Sequence, residues 1–119
     1  WWGPRYLTTK VDRMEVRPGG TWRYIQHDSD GNEYAFKGEY LEVEAPEKLV
    51  YTFEYEPMAG HILVETMQLT DLDGRTLLGV VTIYPAKEDL EGMIREGMEE
   101  GMIDSWNRME ELLVRMAVE

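Results

Sequence analysis

No cysteine occurs among the 119 residues. That absence excludes a disulfide framework, thiolate metal sites and a cysteine nucleophile. Basic residues are scarce, 12 against 24 acidic, for a formal net charge of −12 at pH 7. Such a surface repels phosphate backbones, so no nucleic-acid partner is expected, while a basic protein partner stays open. The plainer reading is that excess acid keeps a small domain in solution. No apolar run approaches the ~20 residues needed to cross a bilayer, and no secretory signal is visible. Hence a cytoplasmic location and no membrane partner are expected. Ser29 and Ser105 are the only serines, and neither neighbours a histidine, so nucleophilic catalysis has little support. His27 and His61 lack sequence-local ligand partners, so neither a metal nor a cofactor is expected. Arg17-Pro18-Gly19-Gly20 lacks the lysine and spacing of a phosphate loop.

What is present is a regular series of turn signals: 17–20, 28–32, 45–48, 57–60 and 71–74, rich in proline, glycine and asparagine. Proline presets the turn dihedral, and glycine and asparagine tolerate positive φ. Strand-like segments fall between them at 11–17, 21–27, 33–43, 48–56, 62–70 and 75–84, which predicts an antiparallel meander. Asp28-Ser29-Asp30-Gly31-Asn32-Glu33 looks like a calcium loop, but its glycine is fourth rather than sixth, so it reads as a hairpin turn.

Side chains two apart on a strand share a face. Trp22 with Tyr24, then Tyr34, Phe36, Gly38 and Tyr40, then Tyr51, Phe53 and Tyr55, then Leu78, Val80, Thr82 and Tyr84, give one sheet face lined with rings. After Pro85 the period changes. A short helix is predicted over 86–96, with Leu90, Met93 and Ile94 as its apolar side, and Gly97 separates it from a longer helix at about 98–117. Met98, Met102, Trp106, Met109, Leu113 and Met116 recur there at helical spacing. The fold class expected is α+β, a curved antiparallel sheet of about six strands wrapped around a long C-terminal helix.

These landmarks, in order and spacing, resemble one family. They are Trp1-Trp2-Gly3-Pro4, Arg17-Pro18-Gly19-Gly20-Thr21-Trp22, Asp30-Gly31 with Gly38-Glu39-Tyr40, and Ala45-Pro46-Glu47-Lys48-Leu49. Gly60-His61, Gly74-Arg75-Thr76, Tyr84-Pro85 and Gly97-Met98-Glu99-Glu100-Gly101-Met102 complete the set. The chain is similar to bacterial members of the activator of heat-shock protein 90 ATPase homologue-like family, within the START-related, SRPBCC or helix-grip superfamily. The resemblance implies a single START-like domain over 1–119. Family members normally place a first strand and one or two short helices before the position of Trp1-Trp2, so that portion is expected to be missing. Were that portion truly deleted, the strand edge left behind would invite pairing, and a homodimer would be a natural consequence.

The ring-lined face with a methionine-rich helix is either a packed core or a cavity, since both need the same pattern. Thioethers adapt to varied apolar shapes, and the resemblance implies an enclosed hydrophobic cavity. Trp22, Tyr24, Phe36, Tyr40, Phe53, Met67, Tyr84, Met102, Trp106 and Met109 are the candidate ligand-binding residues. His61, in the 57–61 loop where a cavity mouth could lie, joins them. Glu65, between Val64 and Thr66, is the one carboxylate singled out, although a charged strand residue usually faces solvent. The function expected is non-enzymatic binding of a small hydrophobic ligand. The resemblance also implies two alternatives: a chaperone-associated interaction module, and a polyketide cyclase or aromatase-like enzyme drawing on Glu65, His61 and the tyrosines.

Overall fold

Six strands and two α-helices account for most of the chain. A computed structural model describes residues 1–118; Glu119, the last residue of the expected domain, lies outside the described residues. The strands are β1 (Thr8–Met14), β2 (Thr21–His27), β3 (Glu33–Glu44), β4 (Lys48–Tyr55), β5 (Leu63–Asp71) and β6 (Thr76–Ile83). They pair in sequence order, each antiparallel to the next. Helices α1 (Lys87–Arg95) and α2 (Met98–Val118) follow. This is the α+β helix-grip arrangement, with a long C-terminal helix set against one face of an antiparallel meander.

Most predicted boundaries lie within a residue or two of the observed ones. The first strand is the exception: it runs 8–14 rather than 11–17, and its pairing with β2 slips between Val11 and Arg13. Beyond Met14 the chain turns instead of extending. The Glu15 carboxylate accepts from the Thr21 hydroxyl at 2.9 Å, and the Gly20 amide donates to the Arg17 carbonyl.

The 28–33 segment is the hairpin turn expected. The Asp28 carboxylate accepts from the Asp30 and Asn32 amides, each at 2.9 Å, and from the Asn32 side chain and the Tyr34 hydroxyl, each at 3.0 Å. Those bonds hold its carboxyl below the ordinary range, the Asn32 side chain contributing most. The turn consumes the oxygens that a cation would have needed. Among the described residues no group of three or more acidic or imidazole side chains could hold a metal ion. No described helix is long and apolar enough to cross a membrane.

Gly97 carries the chain from α1 into α2 with φ at +81°, a conformation that glycine adopts without a Cβ penalty. The helix face assigned to α2 is covered only in part. Met98, Met102, Trp106 and Met109 are half-buried, whereas Leu113 and Met116 are 56% and 59% exposed. The period locates the apolar side of a helix, but cover depends on what stands opposite.

Segment 1–5 is tied to α2 from outside. The Arg5 guanidinium bonds Glu111 and lies 3.3 Å from Asp104, and the Arg5 amide donates to Asp104 at 2.7 Å. Arg108 donates to the Gly3 and Pro4 carbonyls at 2.9 and 3.1 Å. This clamp sets Trp2 over the sheet.

Candidate functional site

Register brings the rings together. Trp22 pairs opposite Gly38 and Tyr24 opposite Phe36 on β2–β3; Tyr40 pairs opposite Tyr51 on β3–β4. Gly38 leaves the room in which the Trp22 indole lies: a Cβ there would collide with the Trp22 ring and the Thr52 carbonyl oxygen. Trp2 comes down on this layer, its ring centroid 5.0 Å from Tyr24 and 5.4 Å from Phe36, both edge-on. Edge-to-face packing at such distances is favourable because ring edges and faces carry opposite partial charge.

Between the ring layer and α2 lies a partly open cavity of about 330 Å³. Its sheet wall is Met14, Trp22, Tyr24, Gln26, Tyr40, Leu49, Tyr51, Phe53, Glu65, Met67 and Val80. The helix contributes Gly101, Met102, Ser105 and Trp106, and residues 1–4 close one side. A larger groove, about 850 Å³, runs along the outside of α2 beside Trp1, but charged side chains such as Arg5, Arg108, Glu110, Glu111 and Arg115 line it. Charged side chains share its wall with Trp1, Leu112 and Val114, so it is less apolar than the cavity under the helix.

Seven of the candidate residues lie on the cavity wall: Trp22, Tyr24, Tyr40, Phe53, Met67, Met102 and Trp106. Four do not. Phe36 lies under Trp2 and against Phe53, behind the lining. The Tyr84 hydroxyl donates to the Met98 sulfur at 2.8 Å, which draws both toward each other. Met109 sits farther along α2, half-buried but off the wall. His61 is exposed and bonds Asp89 of α1 through Nδ1, so its loop is fastened to the short helix rather than to the cavity.

Glu65 corrects the expectation that a strand carboxylate faces solvent. It pairs opposite Tyr51 across β4–β5 and points inward, where the Tyr51 hydroxyl donates to its Oε2 at 3.1 Å. Burial pushes its carboxyl above the ordinary 4.5, and the Tyr51 bond only partly offsets this. Burial also pushes the Tyr51 hydroxyl up, with the Glu65 charge and hydrogen bond adding to the effect. Tyr24 is shifted the same way, by burial first and then by Tyr40. Two polar pairs, Glu65–Tyr51 and Tyr24–Tyr40, therefore sit in an otherwise apolar wall. The alternation of β4 already put Tyr51 on the ring face; what the sequence did not display was its partner on the neighbouring strand, β5.

The Glu65 shift has a thermodynamic sign. A folded-state value above the unfolded one means the folded chain holds the proton more tightly. Its contribution to stability is complete below the unfolded value and is lost as pH rises through the folded one. Glu15, Asp28, Glu56 and Glu111 are shifted down and act oppositely. Comparing Glu65→Gln with the parent isolates the first effect. The variant is expected to be more stable at pH 8 by about 1–2 kcal/mol, the scale of an imperfectly satisfied buried polar group. The advantage should shrink toward zero below about pH 4, where the parent carboxyl is protonated. Urea denaturation across pH reads this; an advantage that stays constant with pH would refute it.

The family model described as "Activator of Hsp90 ATPase homolog 1-like protein" matches residues 1–114. Among solved structures, a Rhodobacter sphaeroides protein superposes with a TM-score of 0.88 at 21% identity, over 97% of this chain and 75% of that one. An Arthrobacter aurescens protein gives 0.87 at 26% identity, over 97% and 70%. A Mycobacterium smegmatis protein gives 0.82 at 27%, over 97% and 74%. No curated protein matches the sequence.

Proposed function

Because the chain belongs to the activator of Hsp90 ATPase homolog 1-like family, we propose that it binds a small, largely apolar ligand between the sheet and α2. One observation carries the reading: the space of about 330 Å³ left between the ring layer and the helix. Its volume falls in the lower range of small-molecule sites, and its wall combines rings and thioethers with a few polar groups, as such sites do. The seven candidate residues on that wall are the contacts proposed for the ligand. The reading assigns no catalytic step. An enzyme of the cyclase kind would have to work with Glu65 and the tyrosines alone, since His61 is engaged with Asp89.

Toluene, a neutral probe small enough for this volume, tests the reading by NMR titration. Saturable shifts are expected at Tyr24, Met67, Met102 and the Trp106 indole. Ser105→Phe, which places a ring in the cavity, should weaken the binding at least tenfold while the circular dichroism spectrum is kept. Shifts that fail to saturate, or saturate equally in the variant, would overturn it.

A chaperone-associated role rests on the family description alone. Addition of this protein to heat-shock protein 90 should raise its ATPase rate if that reading holds, and an unchanged rate at saturation would end it.

A further inference from the structure

We propose that the cavity selects an organic cation, a small amine whose ammonium group meets Glu65 while its apolar body lies on the rings of Trp22, Phe53 and Trp106. This deepens the ligand-binding reading and rests on it. The first support is a charge imbalance in the wall. Glu65 lines the cavity, yet among the described residues no lysine, arginine or histidine does. Arg108, which reaches the cavity's edge, is bonded to the Gly3 and Pro4 carbonyls, and Arg5, Arg23 and Lys48 are paired with Glu111, with Glu56 and Asp12, and with Glu42. Glu65 is half-buried; a carboxylate drawn out of water is costly unless it is paired, and Tyr51 supplies a neutral hydroxyl rather than a counter-charge.

The second support is the rings. An ammonium group is attracted to the faces of Trp, Tyr and Phe, most strongly Trp, and the attraction grows where water is excluded. Carboxylate and rings therefore favour the same sign of charge. The protein's net charge of −12 draws cations toward it and repels anions. A fatty acid or other carboxylate ligand would instead bring a like charge to Glu65. The titratable groups facing Glu65 are Tyr51 on β4 and, at longer range, Tyr84 beyond β6; the α2 residues on the wall, Gly101, Met102, Ser105 and Trp106, carry none. An entering ammonium group thus meets one carboxyl group and, among the described residues, no cationic side chain on the wall.

Three probes of similar size distinguish this from a merely apolar site: benzylamine, benzyl alcohol and benzoate. NMR titration at pH 7.5 in 0.5 M salt suppresses loose binding to surface acids. Benzylamine is expected to bind at least tenfold tighter than benzyl alcohol, with shifts at Tyr51, Glu65 and Trp106, and benzoate should bind weakest. In Glu65→Gln the amine should fall to within about twofold of the alcohol. Alcohol binding as tight as amine in the parent would overturn this proposal and leave the ligand-binding reading standing. So would an amine preference that survives Glu65→Gln, or amine shifts confined to residues outside the cavity. If none of the three probes binds, both readings fall.

Discussion

Replacing Trp22 by alanine lowers the unfolding free energy by about 3–5 kcal/mol in urea denaturation, the range for deleting a large buried ring. The side chain is 3% exposed and lies at the centre of the ring layer. Its centroid is 4.8 Å from Tyr24, 5.8 Å from Phe53, 6.2 Å from Tyr51 and 6.3 Å from Trp2. Whole domains are held by only about 5–15 kcal/mol, so the variant stands near the edge of folding. Trp22→Phe should lose less than its reduced size suggests. The indole Nε1 is buried with no hydrogen-bond partner, and removing an unmatched donor relieves a desolvation cost. A loss under about 1 kcal/mol for Trp22→Ala would show that the ring layer is not the core.

Gly38→Ala is expected to cost about 2–3 kcal/mol by overpacking. The added methyl meets two obstacles of different kinds, the Trp22 ring and the Thr52 carbonyl oxygen. A side chain can move aside, whereas a paired strand yields little. The double variant separates them. If the indole is the main obstacle, combining Gly38→Ala with Trp22→Ala should cost clearly less than the sum of the two single losses. Strict additivity would assign the penalty to the backbone, and a neutral Gly38→Ala would refute both.

The meander and its facing helix were legible because alternation and helical period are local signals that these segments carry undisturbed. Thr8–Met14 was placed late because a slip between Val11 and Arg13 interrupts the alternation by which a strand is recognised. The ring face was readable residue by residue, but whether its rings fill or frame a space depends on how far the helix stands off. That distance follows from the clamp of Arg5 and Arg108 across about a hundred residues of chain, as in the Arg5–Glu111 pair. Glu65 stood out in the sequence, but its inward orientation did not, for a related reason: a single carboxylate in a strand carries no mark of the tyrosine opposite. His61 attracted attention through its loop, while its partner Asp89 lies 28 residues away on another element.

The strand order has a kinetic consequence. Every strand pairs with its neighbour in sequence, so the sheet assembles through short loop closures, whose entropic cost is small. The contacts that join residues 1–5 to α2 span nearly the full chain, as in the Arg5–Asp104 bond with a separation of 99 residues. Local pairings form early and distant ones late when closure entropy governs the order. Closure entropy thus favours an order in which the sheet takes shape first and the pocket is finished when its two most distant segments meet.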